Sequence, residues 1–355
     1  MVVHIVGNRP QFIKLAPLYH ELDKRGYSQH IVHTGQHYDA NLSDIFFEEL
    51  DIPRPHVNLA IGSGTHATMT AKAMIGIEDY LNNNRPKVVI LYGDTDSTVA
   101  AALAAKKLDI PIAHVEGGAR TGNRHNPEEN NRIVTDHLSD IIFCPDLDSV
   151  RHAKEEGLAE ISFYTGDIMY DTYLEVSAKI NKVNDEDIIL MTWHRQENTD
   201  SKQRMEAILN MLEKLPGRIV CPMHPRTISC LKKYDLWDKA NSIENFQIIE
   251  PVGYYEMVSL MNRSKLILTD SGGLSKESSF CGVKCLFMVD IDAWPELRQI
   301  GWLRHINPED TESVSMAINE ANTACKFSVE DRPALFGNGD ARIIISDLLE
   351  KKGFI

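Results

Sequence analysis

Asp94 in YGDTDS, Glu116 in HVEGGART and Glu128 in NPEENNR are the carboxylates of this chain best placed for chemistry. The first two follow apolar runs and the third opens a helical stretch beside Pro127. Gathered together they would repel one another, and like-charged neighbours favour a retained proton, the condition for general acid–base work. Each also has a plainer reading: Asp94 as a helix cap, Glu116 as a turn residue, Glu128 as a charge complementing a helix start. Residues 266–279, LILTDSGGLSKESS, offer a different capability. An apolar strand stops at Thr269-Asp270-Ser271, turns through Gly272-Gly273 and enters a helix. Two glycines let a ligand approach the backbone, and a helix start presents N–H groups to an anion. Ser271 adds a hydroxyl, and Glu277 lies about two helical turns in, where a carboxylate can hold a ribose hydroxyl. The pattern reads as a diphosphate cradle; the alternative is a glycine turn capped by Asp270 or Ser271.

Cations accompany these groups. GNRPQFIK sets Arg9 and Lys14 around the first turns of a helix opened by Pro10, where they can meet a phosphate together with the helix dipole. A solvated basic pair is the alternative. Arg132 stands one turn beyond Glu128. MTWHRQEN and CPMHPRT place His194, Arg195, His224 and Arg226 after strands of the second half, positions from which a cation can neutralise a leaving diphosphate. Lone histidines are otherwise satisfied core residues. His114 and Glu116 share a strand face, but no HExxH or comparable spacing accompanies them, so no metal is expected.

Short β-rich apolar runs alternate with helical patterns throughout, which predicts parallel sheets with helices on both faces. Strands are expected near Val2–Val6, His30–Thr34, Val88–Leu91, Ile112–Val115 and Ile141–Cys144. A second series starts near Ile188 and continues at Ile219–Cys221, Phe246–Ile249, Leu266–Leu268 and Lys284–Met288. Helices are expected over Phe12–Lys24, Thr65–Leu81 and the alanine-rich Ser97–Lys107, with an amphipathic one at Asp340–Lys351 that packs back across the first domain. The polar stretch from about Glu175 to Asp187 reads as a linker. In open α/β sheets ligands bind beyond the carboxyl ends of the strands. Arg9, Gly35-Gln36-His37, Asp94, Glu116, His194, His224 and Ser271 each follow an expected strand by a few residues. Their spread over both halves predicts a cleft between two Rossmann-like domains.

Composition bounds the partners. A chain of 355 residues suits two domains, and a net charge of −14 makes nucleic acid and anionic membranes poor partners. No apolar run approaches the length of a membrane span. The start, MVVHIVGNRP, reads as a strand and turn, not a signal peptide. The cysteines (Cys144, Cys221, Cys230, Cys281, Cys285 and Cys325) form no CxxC pair and read as reduced, mostly buried thiols, which suits the cytoplasm.

In order, GNRPQFIK, HTGQH, YGDTDS, AHVEGGART, PEENNR, MTWHRQEN, His224-Pro225 and LTDSGG resemble the motif series of non-hydrolysing UDP-N-acetylglucosamine 2-epimerases. The likeness runs from Val6 to about Gly301 and on to the final FGNGDA-plus-helix segment. It implies an α/β protein of glycosyltransferase-B type, two Rossmann-like domains facing a central cleft, usually as a homodimer. The implied boundaries are 1–174, a carboxylate-bearing domain; 175–338, a UDP-binding domain; and 339–355, a helix returning to the first. It implies UDP-N-acetylglucosamine and UDP-N-acetylmannosamine interconverted by elimination and re-addition of UDP, without cofactor or metal, for cell-surface polysaccharide precursors. Carried over by motif, Asp94, Glu116 and Glu128 resemble the acid–base carboxylates, and His194 the histidine that stabilises departing UDP. Arg9, Lys14, Gln36, His37, Arg132, Arg195, His224, Ser271, Gly272, Gly273 and Glu277 are the expected UDP and sugar contacts.

The chain departs from the family pattern in places. AGLRT becomes GGART at Gly118-Ala119; SGGxQEE becomes SGGLSKE, with Ser275 and Lys276; and Val289 and Trp294 stand at two arginine positions. His66 stands where an arginine would help bind a second, activating substrate. These features, with Gln11-Phe12, are more similar to the branch acting on UDP-2,3-diacetamido-2,3-dideoxyglucuronate. A catalytically silent UDP-sugar sensor is the reading from another class.

Overall fold

The computed structural model describes residues 1–35, 47–180, 187–290, 294–328 and 334–355. It divides into two compact units, Met1–Glu175 with Ala334–Ile355, and Val176–Pro333.

The first unit is built on a seven-stranded sheet of β1 (Val2–Val6), β2 (Gln29–His33), β3 (Val57–Asn58), β4 (Val88–Tyr92), β5 (Ile112–Val115), β6 (Ile141–Cys144) and β7 (Ser162–Tyr164). All pairs are parallel, in the order β3-β2-β1-β4-β5-β6-β7. β1, β4, β5 and β6 are buried along their whole length, as their largely apolar runs require of strands covered on both faces. His4 is the polar exception in β1. Tyr92 and Gln29 bond its two ring nitrogens at 2.7 and 2.9 Å, and burial pushes its pKa down to about 4 against the Gln29 bond.

Two helices frame the strand ends that matter. Arg9–Lys24 is opened by an Asn8–Gln11 capping box with Pro10 in its first turn. Asp96–Lys107 is capped by Thr95, and its alanines 100, 101, 104 and 105 are fully buried, which lets the helix His66–Asn84 pack closely on it. The last helix, Ala341–Lys351, packs on Arg9–Lys24 within this unit. Arg25 bonds Asp347 at 2.7 Å there, and buried Asp171 accepts from the N–H groups of Ala341 and Arg342.

The second unit repeats the plan with six parallel strands: β8 (Ile188–Thr192), β9 (Arg218–Pro222), β10 (Phe246–Ile249), β11 (Ser264–Thr269), β12 (Lys284–Phe287) and β13 (Leu303–His305). Their order, β10-β9-β8-β11-β12-β13, is that of the first sheet with its far edge strand removed. An apolar cluster of Met191, Trp193, Leu209, Leu231, Leu268 and Met288 packs beneath it.

One expectation needs correction. Glu175–Lys179 is not linker but the end of the helix Ile168–Lys179, in which Val176 is buried. Polar neighbours in the sequence hid a helical turn that has one apolar side. Residues 181–186 lie outside the described residues.

Candidate active site

In each sheet the strand order reverses once, between β1 and β4 and again between β8 and β11, and such switch points are where open α/β sheets receive ligands. Gly7, just beyond β1, is packed so closely that an added Cβ would lie 2.5 Å from Ser97 Oγ of the helix Asp96–Lys107 and 2.6 Å from Thr34 Oγ1 just beyond β2. Gln11 then ties the two strand ends together. Its Oε1 accepts from Gly7 N at 2.6 Å, and its Nε2 donates to Tyr92 O at 2.7 Å and Thr98 Oγ1 at 3.0 Å.

Asp94 follows β4 but does not cap the next helix, because Thr95 does. Its carboxylate pairs with Arg132, which also reaches Glu129 at 3.0 Å. Glu116 follows β5 and pairs with the buried Lys14. Burial lowers the Arg132 pKa, and the charges of Asp94, Glu129 and Glu116 more than offset it, so the guanidinium is held charged among these carboxylates. The repulsion expected between acids is thus met by cations. Glu116 also has a φ of 66°, a left-handed backbone that a β-carbon disfavours and that clusters at functional sites.

The third carboxylate is placed differently. Glu128 is exposed in the first turn of the helix Pro127–Leu138, and its own N–H donates to the Asn126 cap at 3.0 Å. Its neighbour Glu129 is the buried one, accepting from the N–H groups of Thr121 (2.9 Å) and Gly122 (3.0 Å) as well as from Arg132. Among the described residues no side-chain bond joins Glu128 to Asp94 or Glu116. Arg9, at the start of its helix, is partly buried; burial lowers its pKa and Glu49 opposes that. His66 bonds Asp96 at 2.7 Å. Gln36 and His37 lie outside the described residues.

In the second unit the helix Gly272–Phe280 starts directly beyond β11, capped by Ser271, whose hydroxyl accepts weakly from Leu274 N at 3.4 Å. Asp270 is no cap. Fully buried, it accepts from the backbone N–H groups of His194 (2.9 Å) and Arg195 (2.9 Å), and lies 3.1 Å from His194 Nδ1. A carboxylate on Nδ1 fixes that proton there and leaves Nε2 for another partner. Burial raises the Asp270 pKa, but His194 and the two N–H groups outweigh it and hold the carboxyl below its usual range. Arg195 overlies the helix start, its Nη2 being 3.7 Å from where a Gly272 Cβ would stand. Glu277 is buried and accepts from Tyr254 Oη at 2.8 Å, while its Oε2 lies 4.0 Å from where a Gly273 Cβ would stand. His224 is 5.6 Å from His194, ring to ring, and its Nδ1 accepts from Arg226 N at the head of the next helix.

A depressed carboxyl pKa stabilises the fold above the unfolded value, about 4, and that stability is lost as pH falls through the lower native value. Asp270→Asn should therefore melt well below the unaltered protein at pH 6, with the gap closing below about pH 4. Melting curves across that range check this; a gap that does not change with pH would remove the ionised carboxylate as its source.

Several residues of the site are missing from the sequence reading. Asn8-x-x-Gln11 is a capping signature that pointed at Gln11. Asp270 follows its strand as directly as Asp94 does, but the glycine pair after it drew the cap reading. Asp136 and Glu129 gave no signal beyond being acidic residues on a helix.

Two parallel sheets of matching strand order in one chain make this a protein of the glycosyltransferase-B type, with two Rossmann-like units. The chain belongs to the UDP-N-acetylglucosamine 2-epimerase family, whose family model matches residues 20–350. It is 43% identical to a UDP-N-acetylglucosamine 2-epimerase homolog of Methanococcus maripaludis, over 98% of this chain and 99% of that one. It is 40% identical to the UDP-2,3-diacetamido-2,3-dideoxy-D-glucuronate 2-epimerase of Pseudomonas aeruginosa, over 99% of each. The crystal structure of the Methanocaldococcus jannaschii UDP-GlcNAc 2-epimerase with UDP-GlcNAc and UDP superposes with a TM-score of 0.89, at 37% identity and 99% coverage of both chains.

Proposed function

We propose that this chain is a non-hydrolysing UDP-sugar 2-epimerase interconverting UDP-N-acetylglucosamine and UDP-N-acetylmannosamine. The observation that carries this is the gathering of Asp94 and Glu116 around cations at one switch point, in a chain whose other switch point is a glycine-opened helix start beside His194 and Arg195. The helix start, Ser271 and Arg195 hold the diphosphate, and Glu277, fixed by Tyr254, takes the ribose hydroxyls. A carboxylate removes the proton from the second sugar carbon, and the electron pair forms a double bond to the first carbon as the bond to UDP breaks. His194, oriented by Asp270, meets the charge gathering on the leaving diphosphate. UDP then adds back to the 2-acetamidoglucal and a proton returns on the opposite face. Glu128, in the first turn of its helix, is the third acid of this scheme. Lys14 pairs with Glu116 and Arg132 with Asp94, which holds each carboxylate in place until substrate enters. We further propose that the enzyme works in the cytoplasm as a homodimer, supplying cell-surface polysaccharide precursors. Among the described residues no helix is long and apolar enough to cross a membrane.

Incubation in deuterated water should place deuterium on the second sugar carbon of both epimers. Product formed without label, or UDP-sugar bound without exchange as in a sensor, overturns the proposal.

One observation favours the diacetamido-uronate as substrate. Lys276 is 1% exposed, with its ammonium 4.7 Å from the centre of the Trp294 ring, whose indole N–H donates to Gly272 O at 2.9 Å. Lys276 belongs to the helix whose start is assigned to the diphosphate, so its ammonium suits a substrate bearing a further carboxylate. A proton NMR time course with each UDP-sugar separates the readings. If the uronate is the substrate, Lys276→Met should slow its turnover at least tenfold, about the value of one charge-assisted hydrogen bond. An equal effect on both sugars would count against the uronate.

A further inference from the structure

Beneath the Glu116 turn lies a closed polar cluster that no step of the proposed reaction uses. His114 and Asp136 are both fully buried. His114 Nδ1 is 2.7 Å from Asp136 Oδ1, and its Nε2 is 2.7 Å from the carbonyl oxygen of Gly93, the residue before Asp94. The other carboxylate oxygen, Asp136 Oδ2, accepts from Gly118 N at 3.0 Å and from Arg120 Nη1 at 2.8 Å. Arg120 is in turn held by Glu156 at 2.8 Å. The turn that carries Glu116 is bound at both ends, by His114 on one side and Gly118 on the other.

The close packing around Gly117 fixes the same turn. A Cβ on Gly117 would lie 2.6 Å from Asp136 Oδ1 and 2.9 Å from His114 Nδ1, so the pair occupies the space a larger residue would need. Gly118 has a φ of 81° and Glu116 one of 66°, so the turn has left-handed backbone on both sides of Gly117. Glutamate does not hold that conformation unaided. Buried charges are costly unless paired, and a cluster of this kind earns its place by fixing one geometry.

We propose that Asp136, acting with His114, is a positioning residue: it holds Glu116 in its left-handed backbone and, through the Gly93 carbonyl, sets Asp94 against it. Neither residue touches substrate. The inference rests on the epimerase reading, because it assumes that Glu116 and Asp94 move the proton.

Asp136→Asn tests it. The amide matches the carboxylate in shape but sets a donor against His114 Nδ1, a bond that only a ring without a proton on that nitrogen can accept, and it removes the negative charge that pairs with Arg120. Deuterium exchange at the second sugar carbon is followed alongside KM for the UDP-sugar and titration with UDP. Exchange should slow about a hundredfold, the scale of a misplacement of about 1 Å, with KM and UDP affinity nearly unchanged. A residue that only supports the fold would lower the melting temperature yet leave the exchange rate per UDP-binding molecule intact, and that result overturns the proposal. Should Asp136→Asn fail to fold, His114→Gln repeats the test from the other half of the pair, with the same two outcomes. Unaltered protein that shows no exchange indicts the epimerase reading; unaltered protein that exchanges beside a variant that exchanges equally well indicts this one.

Discussion

Asp94→Asn and Glu116→Gln should each slow epimerisation by about a thousandfold, within the range expected when a positioned acid or base is lost. Both replacements keep the shape but turn one acceptor oxygen into a donor and remove the basic group that takes up the proton. UDP affinity should barely change, because the groups assigned to the diphosphate belong to the second unit. The two variants should also differ from one another. Deprotonation and return of the proton occur on opposite faces of the sugar, and one carboxylate cannot reach both. Each variant should therefore be most impaired starting from a different epimer, and measuring label uptake from each epimer assigns each carboxylate to its face. Loss of UDP binding in step with turnover would show that these residues support the fold or the ligand, not the proton transfer. Exchange within about tenfold of the unaltered rate in both variants would remove them from the chemistry.

How far this site was legible varies with the kind of signal. Buried strands write themselves as largely apolar runs, so β1, β4, β5, β6, β8, β9, β11 and β12 stand out, and β10 does so by its apolar residues although it is only partly buried. β3, β7 and β13 did not, because each has only two or three residues and is partly exposed. Asp94, Glu116 and Ser271 were legible for a topological reason: a polar residue directly after such a run stands at the mouth of the sheet. Their partners were not. Lys14 is 102 positions from Glu116, and Arg132 is 38 from Asp94, separations that no local spacing encodes. Motif resemblance places Lys14 and Arg132 among the UDP and sugar contacts, and each also pairs with a carboxylate of its own unit. Glu128 and Glu129 show a finer limit. Adjacent residues on a helix point about 100° apart, so one of the pair is buried and the other exposed, and the sequence does not say which. Asp270 failed for the same reason in a loop, since a cap and an inward anchor have identical neighbours.

Gly272→Ala and Gly273→Ala should raise stability while destroying function. Both glycines are helical, and an added Cβ would meet nothing closer than 3.7 Å at Gly272 and 3.9 Å at Gly273. The protein itself therefore gives no reason for glycine at either position. Alanine should favour the helix by up to about 1 kcal/mol at each site, somewhat less in the first turn. Glycine there instead leaves room for something that approaches the backbone from outside, as a diphosphate on a helix start does. A methyl group in that space should weaken UDP binding by roughly a hundredfold, the upper end of what overpacking costs. Gly7 is the contrast: there a Cβ would strike Ser97 and Thr34, so Gly7→Ala should lower the melting temperature. Calorimetric titration with UDP beside thermal melts reads both quantities for all three variants. If Gly272→Ala and Gly273→Ala bind UDP as the unaltered protein does, the diphosphate lies elsewhere, and with it falls the role given to His194 and Arg195.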